Sequence, residues 1–284
     1  MDISITTDFA KDTGDPSPYL RQIAEAGFTH IHWCHQWNTD FLYSESEIAQ
    51  IERWLNEYKI RLLDLHASAG KEKNWASPRD YERLAGVELV KNRIDMTARL
   101  GGHAIVLHVP PESDPSAVRR SLGEIRPHAR NHNVRIAFEN GDFAVLRGIL
   151  SEYAPDFAGL CYDSGHGNLK PDGLDNLESL AERLVAIHLH DNDGASDQHK
   201  IPFTGTVDWN RFTRILSRSS YNHCVSLEVS TRHAGIAGEK EFLARSREAA
   251  ERLTNMLRKA KNDFVDVFLE SGNVKENILI RRQT

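Results

Sequence analysis

The segment VAIHLHDNDGASDQHKIPFTGTVDW, Val185 to Trp209, concentrates side chains that hold metal ions or move protons. A short apolar run delivers His188 and His190, and Asp191, Asp193, Asp197 and His199 follow before a helix begins near Asp208. Imidazole nitrogens and carboxylate oxygens together suit borderline divalent cations, and a strand end with its loop can aim several such groups at one point. A polar surface loop with two ordinary histidines is the competing account. It is the weaker one, because other apolar runs end in the same residue types. His66 closes one run, His108 another, Glu139 a third, Asp163 a fourth with His166 three residues on, and Glu228 the last. Alone, each is ordinarily a cap or a solvated loop residue, but chance is a poor account of six successive strand ends.

The best-supported metal set is Glu139, Asp163, His190 and Glu228. Three carboxylates and one imidazole suit Mn, Mg, Co or Zn, with positions left for substrate oxygens. His66 and His108 form a second group that could share Glu139 as a bridging carboxylate. His166 with Asp197 and His199 forms a third, since alternate residues of an extended loop point to the same side. The bland roles for this group are a substrate hydrogen bond from His166 and an ordered loop. Trp33, Trp37, Trp75 and Phe203 fall near strand ends, where an aromatic plane can pack on the C–H face of a sugar. Of these, Trp33 and Trp75, with His166 and Lys200, are the candidate substrate contacts, although core packing would serve each tryptophan as well.

The elements that must carry these residues alternate regularly. Short apolar runs near 3–6, 28–33, 61–65, 104–109, 134–138, 158–162, 185–189 and 224–227 read as strands. Amphipathic stretches near 19–26, 45–58, 79–100, 115–130, 145–151, 176–183, 210–217 and 239–259 read as helices. Eight strand-loop-helix units predict a parallel sheet closed into a (β/α)8 TIM barrel, an α/β fold whose active site lies at the C-terminal strand ends. Residues 1–261 form this single domain. Residues 262–284 form a short C-terminal extension, apolar enough to dock on the barrel or on a second subunit as a homo-oligomer.

Composition sets the outer limits. The chain has 284 residues, 40% of them hydrophobic, which suffices for a large core. A net charge of -6 gives no broad basic surface for nucleic acid. The three cysteines are far apart and form neither a disulfide framework nor a zinc ribbon. No charged-then-apolar leader opens the chain, and no apolar run approaches the ~18 residues of a membrane span. A cytoplasmic enzyme acting on a small molecule is expected.

FENGD (138–142), CYDSGHGNL (161–169), HLHDNDG with DQH and GTVDW (188–209), and LEV (227–229) together resemble the xylose isomerase-like TIM-barrel superfamily. That superfamily contains the sugar phosphate isomerases/epimerases and endonuclease IV (AP endonuclease family 2), and the resemblance runs to about Lys259. In its ketose epimerase branch, glutamates at the positions of Glu139 and Glu228 bind the metal and exchange a proton with opposite faces of the substrate carbon. The resemblance implies the same catalytic roles here, on a small ketose or polyol derivative. Those epimerases carry an arginine after the seventh strand, whereas 193–203 here holds Lys200 and no arginine. All nine metal-ligand types of endonuclease IV can be laid on His66, His108, Glu139, Asp163, His166, His190, Asp197, His199 and Glu228. Against that alternative, an abasic-DNA phosphodiesterase, stand the short interval from His190 to Asp197 and the lack of basic DNA-contacting loops. Dehydratases and lyases share the enolate chemistry, and a barrel that only binds would have no need of two carboxylates about one carbon.

Overall fold

The computed structural model describes residues 1–68 and 70–270, with 264–270 as helical backbone only. Eight parallel strands run in the order β7-β6-β5-β4-β3-β2-β1-β8. They are β1 (Ile3–Thr6), β2 (His30–Trp33), β3 (Arg61–His66), β4 (Ala104–Leu107), β5 (Arg135–Glu139), β6 (Ala158–Asp163), β7 (Leu184–His188) and β8 (Val225–Leu227). A parallel bridge between Leu189 and Leu227 joins the two ends of the sheet and closes the TIM barrel.

Strand side chains alternate between the two faces, so residues two apart share a face. Contacts across the barrel identify the inner one. The His32 ring on β2 lies 4.0 Å from that of His188 on β7, which is not its neighbour in the sheet. The inner register is small or polar, with Ser4, His32, Asp64, Cys161 and Ser226 all fully buried. The outer register (Ile3, Ile5, Ile31, Leu65, Ile105, Ile136, Leu160, Ile187) packs under the helices as the main apolar core.

The helices are α1 (Ser17–Glu25), α2 (Glu45–Tyr58), α3 (Asp80–Arg99), α4 (Pro115–Asn131), α5 (Phe143–Glu152), α6 (Ser164–Asn168), α7 (Gly173–Ser179), α8 (Trp209–Ser217) and α9 (Glu239–Glu270). Polar caps start several of them. Ser44 and Glu47 form a capping box on α2, and Asp114, Asp142 and Asp208 accept from the first free amides of α4, α5 and α8.

Two elements differ from expectation. The 176–183 stretch divides into α7 and a 3-10 turn at Ala181–Arg183. The short α6 has no apolar period and holds two glycines; it forms because the Asp163 side chain accepts from the His166 amide at 2.7 Å. The closing helix α9 continues through 261 to Glu270, while the rest of the chain, with most of its expected docking segment, lies outside the described residues. No helix among the described residues is long and apolar enough to cross a membrane.

Candidate active site

Each inner register continues, two residues up, into the rim at the C-terminal ends of the strands. Val106 leads to His108, Asp64 to His66, Ala137 to Glu139, Cys161 to Asp163, His188 to His190 and Ser226 to Glu228. The same step carries Thr6 to Asp8 and His32 to Cys34, two rim positions that the sequence reading overlooked. The residues of the expected metal set are all buried, with Glu139 at 2% exposure, Asp163 and His190 at 0% and Glu228 at 9%.

Two adjoining groups meet on this rim. In the first, Glu139 Oε2 lies 3.4 Å from His66 Nε2, 3.6 Å from His108 Nε2 and 3.2 Å from His188 Nδ1. His188 Nδ1 lies in turn 2.9 Å from Glu228 Oε2. In the second, His190 Nε2 lies 3.0 Å from Asp163 Oδ1, while Asp197 stands 3.3 Å from His166 Nε2 and 3.2 Å from His199 Nε2. His166 joins the groups through Nδ1, 2.9 Å from Glu139 Oε1. The structure therefore brings together all nine proposed ligands and adds His188.

These donors fit a divalent ion. Glu139 Oε2, Asp163 Oδ2 and both ring nitrogens of His188 and His190 are buried, and none has a hydrogen bond. Buried polar atoms are nearly always paired. Close nitrogens and oxygens that converge on shared points without hydrogen-bond geometry are placed as ligands are. The expected set spans both groups, Glu139 and Glu228 meeting at His188 in the first and Asp163 and His190 pairing in the second.

Neighbouring backbone fixes these side chains. Asn140 spans β5 and β6, donating to the Asp163 carbonyl at 3.0 Å and accepting from its amide at 2.5 Å. Ser164 Oγ donates to the His190 carbonyl at 2.7 Å. Asp191 orders the long loop, accepting from the amides of Phe203 and Val207 and from Trp209 Nε1. His190 stacks on His199, with ring centroids 4.0 Å apart and planes 10° apart. Against the edge of the His190 ring sits Gly165, where any Cβ would overlap the imidazole. Gly165→Ala is thus expected to displace His190 and weaken metal binding about 10- to 100-fold, the usual effect of disturbing a ligand's support. Titration with a competing chelator checks this, and an unchanged affinity would contradict the assignment of His190.

Without metal the charges of the site are strongly coupled. Burial pushes His166 down, but Asp163, Asp197 and Glu139 outweigh it and raise the imidazole to about 12. Burial likewise opposes His199, which Asp197 and Glu228 raise to about 10. Burial pushes Glu139 up, and the histidines around it, His108 first, hold it well below the ordinary range; His188 does the same for Glu228. A raised imidazole contributes stability that is complete below its ordinary 6.5 and is lost as pH rises through the raised value. A depressed carboxylate contributes above its ordinary 4.5 and loses that contribution as pH falls. The chelated protein is accordingly expected to be most stable between about pH 5 and 6.5 and to weaken steadily toward pH 10. Metal binding must displace the imidazole protons, so affinity rises with pH. Urea midpoints in chelator that stay level from pH 5 to 9.5 would rule out the proton-filled cluster.

The proposed substrate contacts separate. His166 is on the rim. Trp33 is fully buried, its Nε1 donating to the Tyr43 hydroxyl at 3.0 Å, and Trp75 is 3% exposed with its carbonyl accepting from Ser121. Neither reaches the cluster. The aromatic ring over it is Trp37, 4.4 Å from the His66 ring and 5.7 Å from that of His108. Lys200 is fastened by its backbone, exchanging amide bonds with Asp191 at 2.7 and 2.9 Å. Asp8 accepts from Thr6 Oγ1; burial, with Glu228 nearby, raises its carboxyl.

A closed parallel barrel whose polar centre lies at the C-terminal strand ends is a TIM barrel with its site in the usual place for that fold. The chain belongs to the xylose isomerase-like TIM barrel family, whose model matches residues 20–260. The uncharacterized protein y4fM of Sinorhizobium fredii is 32% identical over 280 residues, covering 86% of this chain and 90% of its own. The structure of an L-ribulose 3-epimerase superposes with a TM-score of 0.74 at 15% identity, covering 98% of this chain and all of its own. A D-tagatose 3-epimerase-like protein superposes at 0.73 and 18% identity, covering 91% and 99%.

Proposed function

We propose that the protein is a divalent-metal-dependent isomerase or epimerase of a small ketose or polyol derivative, phosphorylated or free. One observation carries the proposal: the carboxylates of Glu139 and Glu228, from β5 and β8, both lie within 3.2 Å of the same His188 nitrogen. Two buried carboxylates so close can address one carbon from two directions. When bound, a Mn, Mg, Co or Zn ion would polarise a substrate carbonyl and the hydroxyl beside it. Glu139 takes the proton from the acidified C–H, and Glu228 returns one to the opposite face. His166 holds a substrate hydroxyl, and Trp37 offers an apolar face and keeps water from the reacting carbon. The epimerases among the structural neighbours, L-ribulose 3-epimerase among them, support this substrate class.

The two further ligand groups favour a second reading, a phosphodiesterase with three ions. Elemental analysis of protein purified without chelator separates the two. About one ion on the rim per chain, with loss of a ketose C–H signal in D₂O, supports the isomerase; three rim ions with cleavage of abasic DNA would replace it.

A further inference from the structure

A second cluster of ligand-type side chains lies on the outside of the barrel, at the opposite end from the rim. His128 and His132 are one helical turn apart at the C-terminal end of α4, and their rings lie 4.4 Å apart. Asp95, on the last turns of α3, faces both. Its Oδ1 is 2.6 Å from His128 Nε2 and 3.4 Å from His132 Nε2. One ligand atom from each residue falls within 4.8 Å of the others.

The hydrogen bonding of His132 sets the role of its second ring nitrogen. Its Nδ1 lies 2.9 Å from the His128 carbonyl oxygen, which can only accept, so Nδ1 carries the hydrogen. In the neutral ring, Nε2 is then the lone-pair nitrogen, and it faces a carboxylate oxygen. Two acceptors in that position call for a cation between them, a proton or a metal ion. Their 3.4 Å separation matches two ligands on a tetrahedral ion, about 3.3 Å for bonds of ~2.0 Å. His128, now at hydrogen-bond distance, need open by less than about 1 Å to give the same spacing.

We propose that Asp95, His128 and His132 form a second, non-catalytic metal site that ties α3 to α4. Two imidazoles and one carboxylate select borderline ions (zinc, copper, nickel or cobalt) over magnesium and calcium. The fourth position faces solvent, since the three side chains are 45%, 29% and 37% exposed, and water fills it. The site shares no residue with the rim, and it adds one to any ion count per chain.

The test is zinc binding at equilibrium, measured in parallel on the full-length wild-type chain, His128→Gln/His132→Gln and Asp95→Asn, with thermal unfolding followed in chelator and in zinc. The double variant is expected to bind one zinc fewer per chain, to melt as wild type does in chelator and to lose part of the zinc-induced rise in melting temperature. Asp95→Asn, a single exposed change, is expected to weaken that one equivalent at least tenfold, and it decides the matter if the double variant does not fold. Equal zinc numbers and affinities in wild type and Asp95→Asn would overturn the proposal and leave the cluster as a proton-linked pair. Rim occupancy unchanged in all variants keeps this result separate from the proposed activity.

Discussion

Glu139→Gln is expected to lower the rate of substrate C–H exchange by at least about 10³-fold, within the range for removal of a general base. That corresponds to about 4 kcal/mol of transition-state stabilisation. The substitution keeps the shape but removes the charge that gathers His66, His108, His166 and His188 around one side chain. Ion affinity should therefore fall as well. Comparison with Asp163→Asn divides the two effects. Asp163 pairs with His190 and caps α6 but carries no proton in the proposed reaction, and asparagine can keep the cap, so excess metal should restore most of the Asp163→Asn activity and little of the Glu139→Gln activity. The readout is deuterium incorporation into the ketoses for which the structural neighbours are named. A Glu139→Gln rate within tenfold of wild type at saturating metal would remove Glu139 from proton transfer.

The second large effect concerns stability. His188 is fully buried, with both glutamates against its Nδ1 and the His32 ring 4.0 Å away. Burial pushes its imidazole down, but Cys161, Glu228 and Glu139 outweigh that and raise it well above the ordinary value. In the metal-free chain it lies between two buried carboxylates that favour its protonated form. Removing one partner of a buried charge group costs about 3–5 kcal/mol, because the charges left behind are uncompensated. His188→Leu is expected to destabilise the chelated protein by that amount. Saturating metal should recover most of the loss, since an ion on Glu139 and Glu228 supplies the missing positive charge. Paired urea titrations in chelator and in metal measure both quantities. Equal losses in the two conditions would show that His188 matters for packing alone.

The barrel and most of the rim were legible because both depend on local pattern. Eight apolar runs marked the strands, and six of them in succession ended in a ligand-type residue. A period of two also leads to Asp8 and Cys34, two steps beyond Thr6 and His32, but neither was singled out. The role of α6 was hidden, since one side-chain bond from Asp163, not an apolar stripe, starts that helix. Trp33, Trp37 and Trp75 are alike in sequence, and only packing separates the two core tryptophans from the one over the cluster.

What the chain determines by itself is the identity of the ligands, their strand ends and the face on which each lies, because these follow from residue type and from a backbone period of two. What only the tertiary structure decided is which of them meet. His188 touches Glu228 because closure brings β7 beside β8 through the Leu189–Leu227 bridge. Asp95 reaches His128, 33 residues on, because α3 packs on α4. Distances across a closed barrel depend on its register and curvature, and those arise from the whole sheet rather than from any one segment.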